Sequence, residues 1–306
     1  MSKLPIVSSP TKVLDTTNLT ISEYFGRVAT ADAAASFALV EVHAADEAAF
    51  QTPAFAEYII CNEGAIELEC SDGHVTRVEA GVGCYLPPML RLRWRFPSAC
   101  RYAVVCAPAF SPELASHEEG GTIVDPAARE RLIAMHRDAG STPSGGAPVD
   151  AVTDEQRPAL FQPVNVVEAP GITITEHFGL VASREVGSAA SLGVAVVKGA
   201  SEEAWQCPQF DEYVICAEGA IDFLYGGGGD SGSGLEKVHI GAGQGVFLPK
   251  GLRVKWVWPE ACKYLVLCLP AFSPALCGRE AEEGATVAKD GASMKRLEKL
   301  HAEAAP

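Results

Sequence analysis

The chain has 306 residues, 48% of them hydrophobic and 21% charged, an ordinary globular mixture. Lys and Arg number 24 against 39 Asp and Glu, a formal net charge of -15, which argues against nucleic acid as a partner because a phosphate backbone is repelled over most of such a surface. No apolar run approaches the ~20 residues that span a bilayer, and the opening MSKLPIVSSP carries no apolar signal core, so a cytoplasmic protein without a membrane partner is expected.

In chain order, ASFALVEVHA (35–44) is β-branched and apolar and reads as a strand. EYIICNEGAIELEC (57–70) reads as two strands joined at Glu63-Gly64, a turn signal. GCYLP (83–87) is a strand ended by proline, RLRWRF (91–96) alternates long polar with apolar residues, and CRYAVVCAP (100–108) is nearly continuous apolar strand. Helical spacing follows over Pro126–His136.

The same series then returns. LTISEYFGRVA (19–29) recurs as ITITEHFGLVA (172–182), FAEYIICNEGAIEL (55–68) as FDEYVICAEGAIDF (210–223), and AGVGCYLPPMLRLRW (80–94) as AGQGVFLPKGLRVKW (242–256). PAFSP occurs at 108–112 and 270–274, and RLIAMH (131–136) matches RLEKLH (296–301), with a second helix expected over Ser293–Ala302. A repeat of this length is a whole domain. The boundaries expected are an N-terminal domain 1–140, a Gly-, Pro- and Ser-rich linker 141–163 and a C-terminal domain 164–306. Many short strands with Gly-rich turns point to an all-β class, with two β-barrels, each followed by a short helix. Two such halves in one chain suggest a pseudo-twofold, intramolecular pairing of the kind a homodimer makes, with room for a further homo-oligomer.

Two local features read as ordinary structure. GGGGDSGSG (226–234) contains a formal G-x-G-x-x-G at Gly227, Gly229 and Gly232, but a strand-like segment follows where a nucleotide loop needs a helix, so it reads as a hairpin tip. The ten cysteines include no C-x-x-C pair and most lie in apolar runs, as small buried hydrophobes do.

The repeated sentences carry a resemblance to the cupins, small jelly-roll β-barrels, and the whole chain resembles a bicupin. The conserved glutamate of the first cupin motif falls on Glu57 and Glu212, and its later glycine on Gly64 and Gly219. The second motif runs from Gly81 to Pro87, and from Gly243 through Pro249 to Gly251. The departures concern the metal. The first-motif histidine positions hold Gln51 and Pro53, or Gln206 and Pro208, and the second-motif histidine position holds Leu92 or Val254. One glutamate per half falls short of the three or four donors a transition ion takes, so neither metal nor cofactor is expected. The run Asp211, Glu212, Glu218, Gly219, Pro249, Lys250, Gly251, Pro270 and Ala271 resembles the cupin protein of ethanolamine-utilisation operons, a group that also lacks the metal histidines and to which a weak acetate-kinase activity is attributed.

In the cupin register the strand at 91–96 turns Leu92 and Trp94 inward and Arg91 and Arg93 outward, with Val254, Trp256, Arg253 and Lys255 as counterparts; a slip of one residue reverses this. The candidate ligand-binding residues are then Gln51, Trp94 and Tyr102 around Glu57, and Gln206, Trp256 and Tyr264 around Glu212, with Tyr58 and Tyr213 alternating outward. His177, where the first half has Tyr24, is added as a pocket or core residue. A carboxylate in an apolar interior must be paired or carry a raised pKa. Glu57 and Glu212 are therefore also the candidate catalytic residues. Three functions stay open here: a metal-independent binder of a small-molecule ligand, an enzyme using Glu as general acid/base in isomerase, lyase or acetate-kinase-like chemistry, and a structural or interaction protein with filled barrels. If one half alone is active, the second is expected.

Overall fold

The computed structural model describes residues 4–139, 157–184, 189–226, 234–280 and 291–304. The chain divides into two compact units, one of Pro10–Gln162 and one of Pro163–Pro306 with the stretch up to Ser9.

Among the described residues, each unit carries one seven-stranded and one four-stranded antiparallel sheet. In the first unit the larger sheet runs, in spatial order, Ala159–Phe161, Gly83–Leu86, Ala56–Glu63, Cys100–Ala107, Ser36–Val42, Leu19–Phe25 and Thr11–Asp15. The smaller is Asp46–Glu47, Leu92–Phe96, Ala65–Cys70 and Val75–Glu79. The second unit repeats the order. Ile6–Ser8 comes first, then Gly245–Leu248, Asp211–Glu218, Cys262–Leu269, Ser191–Val197, Ile172–Phe178 and Val164–Ala169. Its smaller sheet is Ser201–Glu202, Val254–Trp258, Ala220–Tyr225 and Glu236–Gly241. Strand pairing thus gives two sheets per unit, and the hydrogen bonding does not close them into a continuous barrel.

The core of each unit lies between its sheets, because period-two alternation turns one apolar face of each sheet toward the other. Ile59 and Cys61 from one sheet meet Ile66, Leu68, Leu92, Trp94 and Phe96 from the other, and Val214 and Cys216 meet Ile221, Phe223, Val254, Trp256 and Trp258. The turn that carries the chain between sheets needs glycine. Gly64 and Gly219 have φ of +75° and +74°, and a Cβ there would stand 2.6 and 2.3 Å from a backbone carbonyl.

The long helices are Pro126–Asp138 and Gly291–Ala304. The first is capped by the Asp125 side chain, which accepts from the Ala128 amide, with proline at its start. His136 and His301 are buried, and each Nδ1 donates to the carbonyl four residues back while its ring meets Phe110 or Phe272 edge-on. Each unit adds a helical turn that sequence periodicity is too short to reveal, Pro112–Ala115 and Pro274–Cys277. The expected linker ends in a strand, Ala159–Phe161, while 140–156 lies outside the described residues. Gly227, Gly229 and Gly232 also lie outside them; the flanking strands pair antiparallel as far as Tyr225 opposite Glu236. Among the described residues no helix is long and apolar enough to cross a membrane.

Candidate functional site

Glu57 and Glu212 sit near the start of an interior strand of their larger sheets, the third of seven. Glu57 lies opposite Leu86 on one side and Cys106 on the other, and Glu212 opposite Leu248 and Cys268. Each points between the sheets into a cavity, of about 160 Å³ in the first unit and about 120 Å³ in the second. Gln51, Trp94 and Tyr102 line the first with Glu57; Gln206, Trp256 and Tyr264 line the second with Glu212.

Both glutamates are 6% exposed, and neither carboxyl accepts a hydrogen bond among the described residues; Glu57 Oε2 is fully sealed. Burial alone pushes each up to about 8. At neutral pH both are therefore protonated acids, able to donate one hydrogen bond and accept others. Clustered aromatic rings line the same cavities. Trp94, Phe96 and Tyr102 have centroids 5.5 to 6.3 Å apart, and Trp256, Trp258 and Tyr264 5.5 to 6.4 Å apart. Among the described residues the indole nitrogens of Trp94, Trp256 and Trp258 have no hydrogen-bond partner. The thiol of Cys277 donates to Gln206 Oε1 at 2.8 Å.

The other face of the strands behaves as charged residues require. Arg93 pairs with Glu69 and Glu47, Arg95 with both as well, and Lys255 with Glu202. The unslipped register is the one adopted, because it keeps these cations with their carboxylates and buries Leu92 and Val254. Tyr58 and Tyr213 do turn away from the cavities, yet they are buried, against Tyr85 and Phe247.

His177 does not line the second cavity. On its strand Ile172, Ile174 and Glu176 line the cavity, and the register against the next strand shifts at His177, between Glu176 and Phe178, which leaves it out of the lining. It is buried with Nδ1 unpartnered among the described residues, and burial drives it down to about 4.

Further cavity residues lie outside the cupin motifs. Glu23 and Glu176 line their cavities while accepting two backbone amides each, from Val28 and Ala29 or from Val181 and Ala182. Burial raises both, Glu176 to about 7, against the opposing pull of those amides. Their signal was in plain sight, a glutamate repeated in ISEYFG and ITEHFG. Glu203 and Arg279 line the second cavity as an ion pair at 3.1 Å; the matching positions of the first are Ala48 and His117. A pair present in one half only leaves no trace in a repeat.

The cupin metal does not fit these residues. Around Glu57 and Glu212 the motif positions offer an amide, a proline and an aliphatic side chain, and Glu23 and Glu176 are already engaged by backbone amides. Among the described residues no three His, Cys, Asp or Glu side chains converge as an ion would need.

Two sheets enclosing a cavity, twice in one chain, define the bicupin fold. Solved structures agree. Oxalate decarboxylase from Bacillus subtilis at pH 4.6 superposes with a TM-score of 0.61 at 12% identity, covering 89% of this chain and 77% of that one. A point mutant of the Bacillus subtilis enzyme gives 0.61 at 13%, covering 90% and 79%. A structure on the substrate binding mode and reaction-specificity switch of oxalate decarboxylase gives 0.60 at 11%, covering 93% and 80%. At such identities the likeness concerns the fold. No family model matches the sequence, and no curated protein matches it.

Proposed function

We propose that this chain is a metal-independent bicupin that binds a small polar molecule in each cavity, with Glu57 and Glu212 as its central hydrogen-bonding groups. The observation that carries this is a buried carboxyl, twice over, with no partner among the described residues, facing a cavity that Tyr102 or Tyr264 also lines. Buried polar groups in folded proteins are nearly always satisfied, and a group with no protein partner calls for one from outside. An apolar cavity of ~150 Å³ takes up benzene, so these cavities suit ligands of about six non-hydrogen atoms. Ligand-observed NMR with a library of such compounds tests the reading. A protonated Glu is mimicked by Gln and not by Leu, so Glu57→Gln with Glu212→Gln should keep uptake and Glu57→Leu with Glu212→Leu should abolish it. Uptake that survives in the Leu pair contradicts the reading and favours filled, structural interiors.

A second reading has its own support. An acid poised near 8 is matched to proton transfer at neutral pH, so either glutamate suits a general acid. Turnover of any bound compound that stops in the Gln variants while binding persists would establish it. We also place the chain nearest the cupins of ethanolamine-utilisation operons, on the second-half run from Asp211 to Ala271, and in the cytoplasm, on ten cysteines that are all free.

A further inference from the structure

The two cavities share their glutamates and aromatics but not their charge. The segments that differ are held in the same way. The amides of Ala48 and Glu203 donate to the Trp94 and Trp256 carbonyls at 2.8 Å, and the amides of Glu118 and Glu280 donate to the Phe50 and Trp205 carbonyls at 2.8 and 2.7 Å. On this common backbone the first unit places Ala48 and His117, a histidine that burial and Arg129 hold down to about 4 and so keep neutral. The second places Glu203 and Arg279.

That pair is not balanced. Each Glu203 oxygen has a partner, Oε1 the Ala204 amide at 3.0 Å and Oε2 Arg279 Nη2 at 3.1 Å. Arg279 is less well matched: Nη1 rests on the Met294 sulfur, a weak acceptor, and Nε has no partner among the described residues. A guanidinium carries five N–H donors, and among the described residues this partly exposed one has a single oxygen acceptor. The wall therefore lacks an acceptor, and a ligand can supply one.

The net charge selects among acceptors. The ionisable groups lining the second cavity are Glu176, Glu203, Glu212 and Arg279, with the Tyr264 hydroxyl and the thiols of Cys268 and Cys277 held protonated by burial. An anion would add charge beside Glu203 and Glu176, Glu212 being protonated at neutral pH, and an ammonium ion would face the guanidinium. Both would also shed their hydration in a low-dielectric interior. A neutral carbonyl does neither. Resting on the binding reading above, we infer that the Glu203–Arg279 pair makes the second cavity selective for an uncharged compound whose carbonyl oxygen accepts from Arg279. The first cavity, without the pair, lacks this selectivity.

Butyramide, butyrate and butylammonium are of near-equal size and differ in charge, and they serve as probes of the full chain by saturation-transfer NMR titration at pH 7. Butyramide should bind about tenfold or more tighter than either ion, because each ion must shed its hydration in the low-dielectric interior. The double substitution Glu203→Ala with Arg279→His installs the first cavity's residues and removes both charges together; it should weaken butyramide about tenfold. Arg279→Lys, which keeps the charge opposite Glu203 and removes the fork, should also weaken it and serves if the double variant lacks a cooperative melt. Butyrate or butylammonium binding better than butyramide overturns the selectivity and leaves the binding reading standing. Butyramide affinity unchanged in a folded variant overturns the assignment to this pair. No uptake of any probe by the unmodified protein overturns both.

Discussion

Arg253 grips Glu280 with two prongs, Nε 2.6 Å from Oε1 and Nη2 2.8 Å from Oε2, while its guanidinium carbon stands 3.9 Å from the centroid of a Trp205 ring. Arg91 holds Glu118 with the same two distances and stacks on Phe50 at 4.1 Å. Glu280 follows Arg279, and Trp205 precedes Gln206, so the clamp ties together two segments that line the cavity. Its ions are partly exposed, which limits what it adds to stability. Glu280→Gln should lower the unfolding free energy by about 1 kcal/mol or less. It should weaken ligand uptake by the second cavity more than that figure suggests, because Arg279 loses its neighbour's anchor. Urea midpoints and NMR titration on one preparation compare the two effects.

Gly26 and Gly179 have φ of +145°, and a Cβ at either would stand 2.7 or 2.6 Å from the carboxyl carbon of Glu23 or Glu176. Those carboxylates hold the turns through amides at 2.7 to 2.9 Å and cannot retreat without breaking them. Gly26→Ala and Gly179→Ala should each destabilise by about 2 kcal/mol or more, through backbone strain added to the clash. Alanine at Gly81, where nothing lies within 4 Å of the added carbon and φ is +85°, isolates the strain. It should cost less.

Stability should depend on pH with a defined sign. Glu57 and Glu212 titrate at about 8 in the folded chain against an ordinary value of 4.5, so between these limits the folded state keeps protons the unfolded chain has shed. Their contribution is complete below 4.5 and is lost as pH rises through 8. The buried His117 and His177, lowered to about 4, act oppositely, but only below their ordinary value of 6.5. From pH 6.5 to 8 the carboxyls act without them, and unfolding free energy should fall by on the order of a few kcal/mol. The double variant Glu57→Gln with Glu212→Gln should show a flatter profile over that window in urea melts.

Much of this was readable from the chain. Internal repetition marked the strands and the Glu-Gly turns, and the cupin positions led to Glu57 and Glu212 with Gln51, Trp94 and Tyr102 and their counterparts. Glu176 and His177 show the limit. They are neighbours, and only Glu176 lines the cavity; the pairing register shifts at His177, an irregularity that sequence alternation does not reveal. Glu203 and Arg279 were harder still. They are 76 residues apart and meet through the packing of the turn after Pro274–Cys277 onto the strand edge, a contact without local pattern.

Nine of the ten cysteines are buried, and Cys207 alone is partly exposed. Burial raises Cys84 and Cys106 far above the usual thiol range, so neither ionises near neutrality. An aromatic disulfide reagent added to the native protein at pH 8 should titrate about one thiol quickly. Cys207→Ser should remove that phase, and denaturant should release the rest.

The central claim is that a protonated, metal-free glutamate faces each cavity. Its most direct test is a crystallographic density map of both interiors with an anomalous difference map. The account predicts light-atom density, water or a small organic molecule, within hydrogen-bonding distance of Glu57 and Glu212 and no anomalous peak beside them. A transition ion bonded to either carboxylate at ~2.0–2.2 Å would contradict it.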